Sequence, residues 1–209
     1  MGDLDGRVVV VTGGNGALGN AVVAALAAQG ATVRVPVQVD LRDSEAVSAY
    51  YTEVGANGLW ASVHVAGAFT MGPFVETSID AWRGQLETNA TTAFLCSREA
   101  ARHMRGGGRI VNVAAQAGLD PAQGCDKVAY TVSKAAVVAL TLATAAELGR
   151  GGVLVNAVAP GIIDTPANRA AMPGADPCAW LRLEDVAAQM VALLLPASTA
   201  TGTVVKLGS

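Results

Sequence analysis

Short apolar segments rich in β-branched residues alternate with longer, Ala-rich segments along the chain. The apolar pattern predicts strands at residues 7–12, 31–35, 60–66, 109–114, 153–159 and 203–207. Helices are predicted between them, at residues 20–29, 44–54, 79–104, 130–148 and 183–195. Apolar strands separated by helices are typical of a parallel sheet covered on both faces, so the pattern predicts a doubly wound α/β fold. We expect one domain over residues 1–209, because no repeat or linker divides the pattern.

One part of the pattern is too short for this regular alternation. The apolar segments 31–35 and 37–40 are separated only by Pro36. Neighbouring parallel strands need a crossover of about a dozen residues or more. These segments are therefore one bent strand, or a strand followed by an extended loop. We expect the sheet to lack one edge strand and the helix that would precede it.

Composition narrows the classes of function. Hydrophobic residues make up 52% of the chain and charged residues 15%, and the formal net charge is −3, which argues against disorder and against nucleic-acid binding. The longest apolar runs fall short of a membrane span, and residues 1–6 lack the pattern of a signal peptide. We therefore expect a cytoplasmic protein that does not enter a membrane. Three cysteines and two histidines without metal-binding spacing predict reduced thiols and no metal site.

A glycine-rich segment, residues 12–19, joins the first predicted strand to the first predicted helix. Glycines at such a turn let the backbone approach a pyrophosphate, which the positive helix N-terminus attracts. The alternative is a tight turn between strand and helix that binds no ligand. If the turn holds a dinucleotide, the binding residues are Gly13, Asn15, Gly16, Ala17, Leu18 and Gly19.

Tyr130 and Lys134 lie four residues apart at the start of a predicted helix, and hence on one helix face. An ammonium near a phenol favours the phenolate and lowers the phenol pKa from about 10 towards neutrality. Such a phenol is a workable general acid or base. The ordinary alternative is a Tyr and a Lys on an exposed helix face. The catalytic interpretation gains weight because this helix follows a later strand, at the sheet edge where ligands bind.

With these segments and several others, the chain resembles the short-chain dehydrogenase/reductase family nearly from end to end. Residues 12–19 are similar to the family's Thr-Gly-x-x-x-Gly-x-Gly turn, with Ala17 at the middle glycine. The resemblance implies a Rossmann-type fold that binds NAD(H) or NADP(H) and a small-molecule substrate. It implies Tyr130, Lys134 and Asn89 as catalytic residues, with Asn89 holding a proton-relay water. Besides Tyr130 and Lys134, the implied cofactor contacts are Asp40, Leu41, Ala66, Gly67, Pro160, Gly161, Ile163 and Thr165.

The implied contacts divide between the two ends of the dinucleotide. Asp40 and Leu41 resemble the pair that contacts adenine, whereas Ile163 and Thr165 fall where the family binds the nicotinamide carboxamide. In the family, an Asp just after the second strand selects NAD, and an Arg there accepts the phosphate of NADP. Neither stands at that position here, so the choice of NAD or NADP stays open. The candidate phosphate partners are Arg34 and Arg42.

Within the family, residues 164–176 and 13–19 are most similar to dihydropteridine reductases and their bacterial relatives. The family's usual catalytic serine, about a dozen residues before the Tyr, is replaced by Ala115, and dihydropteridine reductases also lack it. The loss of one such donor typically costs on the order of 10²–10³ in rate. A conjugated or imine-like acceptor tolerates that loss better than a ketone, because its charge is delocalised or falls on nitrogen. We therefore expect a small acceptor of that kind.

Two other functions stay open. An ordinary ketone or alcohol oxidoreductase would need a substitute for the serine, such as Gln116, Gln123 or a water molecule. A cofactor-binding redox sensor without turnover would account for Ala115, but it would leave the retention of Tyr130, Lys134 and Asn89 unexplained.

The predicted helix at residues 130–148 is apolar almost all round, which is more than one sheet can cover. The family resemblance also implies subunit contacts through this helix and through residues 79–104. We therefore expect a two-fold symmetric homodimer, or a tetramer built from such dimers.

Three residues near these motifs have ordinary structural interpretations. His64 ends a core strand and is best interpreted as a packed histidine. Ser133 is interpreted as a helix serine bonded to backbone, since no Ser-His-Asp set accompanies it. Cys125 is interpreted as an inert thiol.

Overall fold

In residues 2–56 and 58–208, which the computed structural model describes, six strands form one sheet. They are β1 (Val8–Thr12), β2 (Thr32–Arg34), β3 (Ala61–His64), β4 (Gly108–Val113), β5 (Val153–Pro160) and β6 (Val204–Leu207). Their order is β2-β1-β3-β4-β5-β6, and each neighbouring pair is parallel. This arrangement is the predicted doubly wound sheet.

Helices cover both faces of the sheet. They are α1 (Ala17–Ala28), α2 (Ser44–Gly55), α3 (Ile79–Gln85), α4 (Thr92–His103), α5 (Gln116–Leu119), α6 (Val128–Leu148), α7 (Pro166–Ala171) and α8 (Leu183–Ala192). Helices α1 and α8 pack on one face, against a core that includes Val9 and Val11. Helices α2, α4 and α6 cover the other face, where Val10 is buried. Successive residues of β1 thus enter opposite cores, which explains why the strand is apolar throughout.

Strand β2 forms one edge of the sheet. Residues 35–43 run from it to α2 with no helix or strand among them, so the expected loss of an edge strand and its helix is confirmed. Of the two alternatives for this region, the structure has a short strand that ends at Arg34 and then an extended loop. Gln38 in that loop has a φ of 58°, which marks a sharp local turn.

The helical stretch predicted at residues 79–104 contains a π-helical turn. It consists of α3, the π-helical residues Leu86–Thr91 and then α4. Such turns are frequent at functional sites, because the extra residue redirects the side chains around it. Helix α6 begins at Val128 rather than at Tyr130, so Tyr130 lies within its first turn.

The helix Val128–Gly151 is long and apolar enough to cross a bilayer, judged by length and composition alone. This helix is therefore an exception to the expectation, drawn from the longest apolar runs, that no segment is long enough for a span. In the described fold the helix packs against the sheet, with Val137, Thr141 and Ala145 buried. A helix in the core of a folded protein can have the same length and apolar composition.

Candidate active site

The glycine turn between β1 and α1 is closely packed by the chain itself. Gly13 has a φ of 68°, and a Cβ placed on it would lie 2.7 Å from the backbone nitrogen of Ala66. A Cβ on Gly19 would overlap the carbonyl oxygen of Gly13. The turn and its contact with the segment after β3 therefore require both glycines, whether or not a ligand is bound.

The tip of this turn is open. Asn15, Gly16 and Ala17 are exposed, and a Cβ on Gly16 would meet only the carbonyl oxygen of Gly13, at 3.4 Å. Gly16 precedes α1 without a side-chain cap from the described residues, so the N–H groups of the first helical turn can bind an anion. Leu18 is buried in the core and offers only its backbone. The tip thus fits the pyrophosphate of a dinucleotide.

Residues 35–41 carry the side chains expected at the adenosine end. The Arg42 guanidinium donates to both carboxylate oxygens of Asp40, with N–O distances of 2.9 Å, and the Arg42 backbone N–H donates as well. These bonds lower the pKa of Asp40 to about 2. Arg42, a candidate phosphate partner, is therefore already paired, whereas Arg34 is exposed at the end of β2. Leu41 packs partly against the core on the α2 face.

Tyr130 and Lys134 face the carboxyl end of β4 from the first turns of α6. The Lys134 ammonium is buried, donates a hydrogen bond to the Val113 carbonyl oxygen at 2.8 Å, and lies 5.9 Å from the centre of the Tyr130 ring. Burial lowers the pKa of Lys134 to about 8 and raises the pKa of Tyr130 to about 12. The predicted decrease in the phenol pKa is therefore wrong for the protein by itself, because desolvation of the phenol outweighs the nearby ammonium.

Asn89 lies in the π-helical turn and joins three segments of the chain. Its Oδ1 accepts a hydrogen bond from the Ala68 N–H, and its Nδ2 donates to the Ala68 carbonyl oxygen, both at 2.9 Å. The same Nδ2 lies 3.0 Å from Ser133 Oγ. A Cβ on Gly67 would lie 2.6 Å from Asn89 Oδ1 and 3.3 Å from Lys134 Nζ. The fold therefore brings Gly67, Asn89 and Lys134 together, as the family resemblance implies.

Ala115 comes shortly after β4, is buried, and presents a methyl group where the family has a serine hydroxyl. The two glutamines considered as substitutes are bonded elsewhere. Gln116 Nε2 donates to the Leu207 carbonyl oxygen at 2.7 Å, and Gln123 Nε2 donates to an Asp120 carboxylate oxygen at 3.1 Å. Each of these bonds takes one of the two N–H donors of the glutamine amide, and the other donor stays available to a ligand.

The segment after β5 carries the residues expected at the nicotinamide. Pro160 ends β5, and the Gly161 N–H donates to the carbonyl oxygen of the last β6 residue at 3.0 Å. Ile163 is half-buried against the core formed with α1 and α8. Thr165 is the N-cap of α7, where its Oγ1 accepts from the Asn168 N–H at 3.1 Å. Its hydroxyl proton is still available to a ligand.

A chain of hydrogen bonds runs through the core behind the site. Tyr51 Oη lies 2.7 Å from Ser62 Oγ, which lies 2.9 Å from His64 Nε2. His64 Nδ1 lies 2.7 Å from Asn112 Oδ1, and Asn112 Nδ2 donates to Thr141 Oγ1 at 3.0 Å. Because Thr141 donates to a carbonyl of its own helix, it accepts from Asn112, and the Asn112 oxygen then accepts from His64 Nδ1. Burial lowers the pKa of His64 to about 4, so the histidine is neutral and packed, as interpreted.

Two further candidates have the surroundings that the sequence suggests. Ser133 Oγ donates to the Tyr130 carbonyl oxygen at 2.7 Å, which is the expected bond of a helix serine to backbone. Cys125 is exposed, and its thiol lies 3.7 Å from an Asp126 carboxylate oxygen. In the described part of the chain, no group of three or more His, Cys, Asp or Glu side chains is arranged to hold a metal ion.

Several residues at the site have no recognisable motif in the sequence. Phe69 packs edge-on against Tyr130, with ring centroids 4.8 Å apart. The backbones of Ala68 and Val113 hold Asn89 and Lys134, and any residue type supplies a backbone carbonyl. Val35 packs against the glycine turn: a Cβ on Gly14 would lie 2.6 Å from its Cγ2. Only the motifs on either side of these residues indicate that they lie near the site.

Comparison with known proteins agrees with this geometry. A family model described as enoyl-(acyl carrier protein) reductase matches residues 4–207. The chain belongs to the short-chain dehydrogenase/reductase family. It is therefore an oxidoreductase of that family, with NAD(H) or NADP(H) as its hydride carrier, as predicted. The solved structure of ElxO with NADP bound is 23% identical, covers 97% of both chains and has a TM-score of 0.92, which shows the same fold.

The relatives indicate a broader class of enzyme than the dihydropteridine reductases that the sequence motifs suggest. Cis-4-hydroxycyclohexanecarboxylate dehydrogenase of Sinomonas cyclohexanicum is 32% identical over 222 residues, covering 90% of this chain and 88% of that protein. An uncharacterized oxidoreductase of Escherichia coli strain K12, YohF, is 47% identical over 109 residues, which is 51% of this chain and 42% of that protein. These names give no support to the predicted likeness to dihydropteridine reductases.

Proposed function

We propose that residues 1–209 form one catalytic domain that interconverts a secondary alcohol and a ketone with NAD(H) or NADP(H). The observation that carries this proposal is the buried Lys134 ammonium, fixed to the Val113 carbonyl beside Tyr130 at the carboxyl edge of the sheet. A charged group in such a place is costly unless it has a task, and perturbed groups of this kind concentrate at active sites.

The bound dinucleotide supplies the hydride, and the chain positions it. The open tip at residues 15–17 and the uncapped first turn of α1 hold the pyrophosphate. Asp40 and Leu41 would hold the adenosine end, and the loop after β5 with the two catalytic side chains would hold the nicotinamide end. The residues proposed to hold the cofactor are Gly13, Asn15, Gly16, Ala17, Leu18, Gly19, Asp40, Leu41, Ala66, Gly67, Tyr130, Lys134, Pro160, Gly161, Ile163 and Thr165.

Tyr130 gives a proton to the substrate oxygen during reduction. Its raised pKa of about 12 keeps the phenol protonated at neutral pH, which is the form that a proton donor needs. Lys134, with a pKa of about 8, is still charged at neutral pH. Val113 takes one of its three N–H donors, and the other two are available to the cofactor ribose and to a water molecule. Asn89 supports this relay by holding residues 67–68 beside Lys134.

The choice of acceptor rests on two observations that point in different directions. The substrate in the name of the Sinomonas relative is a secondary alcohol on a ring, which favours alcohol and ketone chemistry. The methyl group of Ala115 favours a second candidate, a conjugated or imine-like acceptor such as a quinonoid dihydropterin, because such an acceptor needs no hydroxyl donor there. Location in the cytoplasm stays a prediction under either candidate.

Ala115→Ser separates the two candidates. NAD(P)H consumption is measured for wild type and the variant with small ketones and with a quinonoid dihydropterin. In the ketone case the new hydroxyl raises ketone turnover by up to about 10²-fold. In the conjugated-acceptor case, wild type prefers the dihydropterin and the variant gains nothing on it. Ala117→Ser is the matched control, because it adds a hydroxyl at another buried alanine, two residues further along in α5. If both proteins bind NADPH but neither consumes it with any of these acceptors, the chain is a sensor and the proposed catalysis is wrong.

A further inference from the structure

The segment that follows β3 presents large apolar side chains to solvent beside the catalytic tyrosine. Residues 66–75 contain no charged side chain. Four of their side chains are largely exposed, and we refer to them as the apolar shelf: Phe69 (55%), Met71 (67%), Phe74 (67%) and Val75 (90%). Exposed apolar surface of this kind in a folded protein marks a place where something apolar binds.

A ring contact and backbone hydrogen bonds hold the apolar shelf in place. Its first residue, Phe69, packs edge-on against Tyr130, with ring centroids 4.8 Å apart and planes at 81°. Both backbone groups of Ala68, just before it, are bonded to Asn89. Further along, the Gly72 N–H donates to the Asp126 carbonyl oxygen at 2.6 Å, which ties the shelf to the segment leading into α6. The shelf is therefore fixed beside the phenol of Tyr130.

Charges near the shelf disfavour an anionic ligand. A cavity of about 220 Å³, lined by Met71 of the shelf and by the start of α6, has Glu76, Asp126 and Lys127 as its charged lining residues. Their formal charges sum to −1 at neutral pH. Arg169, on α7, is already bound to the Asp164 carboxylate through two of its nitrogens. A carboxylate or phosphate on the substrate would therefore meet acidic side chains here.

We propose that the substrate is a neutral, apolar ring compound whose hydrocarbon body lies on the apolar shelf, with Phe69 as the residue that selects it. This inference rests on the proposed function, because it places the carbonyl oxygen within reach of the Tyr130 hydroxyl. Phe69 contacts both the proton donor and the ring, so its shape decides how the carbonyl is presented. Each methylene group of the substrate that the shelf removes from water multiplies kcat/KM by about four.

The test uses cyclohexanones that differ only at carbon 4. The series 4-methyl-, 4-ethyl- and 4-butylcyclohexanone measures the apolar contribution, and 4-oxocyclohexanecarboxylate measures the effect of charge. We expect kcat/KM to rise along the alkyl series and to exceed the carboxylate value by at least about tenfold, because the carboxylate would meet acidic side chains. A carboxylate that equals or surpasses the alkyl ketones overturns the inference while leaving the oxidoreductase proposal intact.

Substitutions locate the effect on the shelf. Phe69→Ala is expected to flatten the alkyl series and to raise KM more than it lowers kcat, whereas Phe69→Leu retains part of the preference. Ile79→Ala is the matched control, because Ile79 is a similarly exposed apolar side chain (58%) on α3, outside the shelf. A lower kcat with an unchanged alkyl preference would mean that Phe69 only supports Tyr130, and it would overturn the inference. So would loss of the native oligomer in Phe69→Ala with the preference retained, since the shelf would then be a subunit contact.

A binding measurement keeps the two proposals distinguishable if no ketone is reduced. Calorimetric titration of 4-butylcyclohexanone into the protein with NADPH present does not depend on turnover. Weaker binding to Phe69→Ala than to wild type and Ile79→Ala upholds the shelf, even where the proposed reaction has failed. Equal binding to all three proteins rejects it.

Discussion

The ammonium of Lys134 and the carbonyl oxygen of Val113 are 2.8 Å apart, and this bond fixes a buried positive charge at the end of β4. A lysine on a flexible four-carbon stem would otherwise sample many positions. Anchored on a strand, it holds a constant place relative to Tyr130, which lies one helical turn before it on α6. The pair therefore depends on the packing of α6 against the sheet as much as on its own spacing in sequence.

Tyr130→Phe removes the proposed proton donor and keeps the ring. We expect turnover to fall by at least about 10²-fold, the usual contribution of a positioned general acid. The affinity for NADPH, measured by fluorescence titration, should change little, because the ring and its contact with Phe69 are retained. Wild-type turnover in the Phe variant would contradict the assignment.

Ala17→Leu tests the cofactor site without disturbing the packed turn. Gly13 and Gly19 are poor choices for this purpose, since side chains there would collide with the chain itself. Ala17 is exposed at the first position of α1, so a larger side chain there obstructs only a ligand. We expect NADH and NADPH affinities to fall at least about tenfold, or about 1.4 kcal/mol, with the melting temperature retained. Ala24→Leu, exposed further along the same helix, should bind as wild type does; equal binding by both variants would refute the site.

His64 makes the stability of the fold depend on pH. Its pKa is about 4 in the fold and about 6.5 in the unfolded chain, so below pH 6.5 the unfolded chain binds a proton that the folded chain does not. The stabilisation is complete above pH 6.5 and is lost as the pH falls towards 4. We expect the loss at pH 4 to be about 3 kcal/mol in the free energy of unfolding, measured with urea.

The control for this prediction is His64→Asn, which cannot titrate in this range. Carboxylates contribute equally to both proteins, so the difference between their unfolding free energies isolates the histidine. Wild type should lose about 3 kcal/mol relative to the variant between pH 7 and pH 4. A constant difference across that range would show that His64 is not held neutral by the fold.

The predicted homodimer is tested on the outer faces of α4 and α6. Phe94 (46%), Val132 (38%) and Leu142 (45%) are exposed on these helices, and a cavity of about 390 Å³ lies between them. We expect light scattering at micromolar concentration to give a dimer or tetramer mass, and Leu142→Glu to reduce it. Val37→Glu, in the exposed loop that follows β2, is the control. A monomer mass for wild type would remove the prediction.

Most of the fold follows from the sequence because its signals are local. Strand and helix periods, the glycine turn and the shortness of residues 31–40 predict a doubly wound sheet that lacks an edge strand, as the structure has it. Element ends shift by a few residues; α6, for example, starts at Val128 because a helix can extend before its recognisable motif. The π-helical turn has no pattern of its own in the apolar periodicity.

The electrostatics of the site could not be predicted from spacing. The four-position spacing of Tyr130 and Lys134 indicates proximity, which alone lowers a phenol pKa. The burial of both groups depends on how the whole fold encloses them, and it raises the phenol pKa instead. The partners of Gln116 and Gln123 are equally invisible in sequence, because Gln116 reaches a carbonyl 91 residues away on β6. Long-range packing determines which side chains are left to act.

The shortened region after β2 also affects how the folded protein behaves at high concentration. Among the described strands β2 pairs only with β1, so its other side presents open backbone groups that another chain could pair with. Three features limit such pairing: the strand is only three residues long, Arg34 adds an exposed charge at its end, and Pro36 lacks an N–H to donate. These few residues thus protect the edge that the missing strand leaves exposed, and they limit aggregation at that edge.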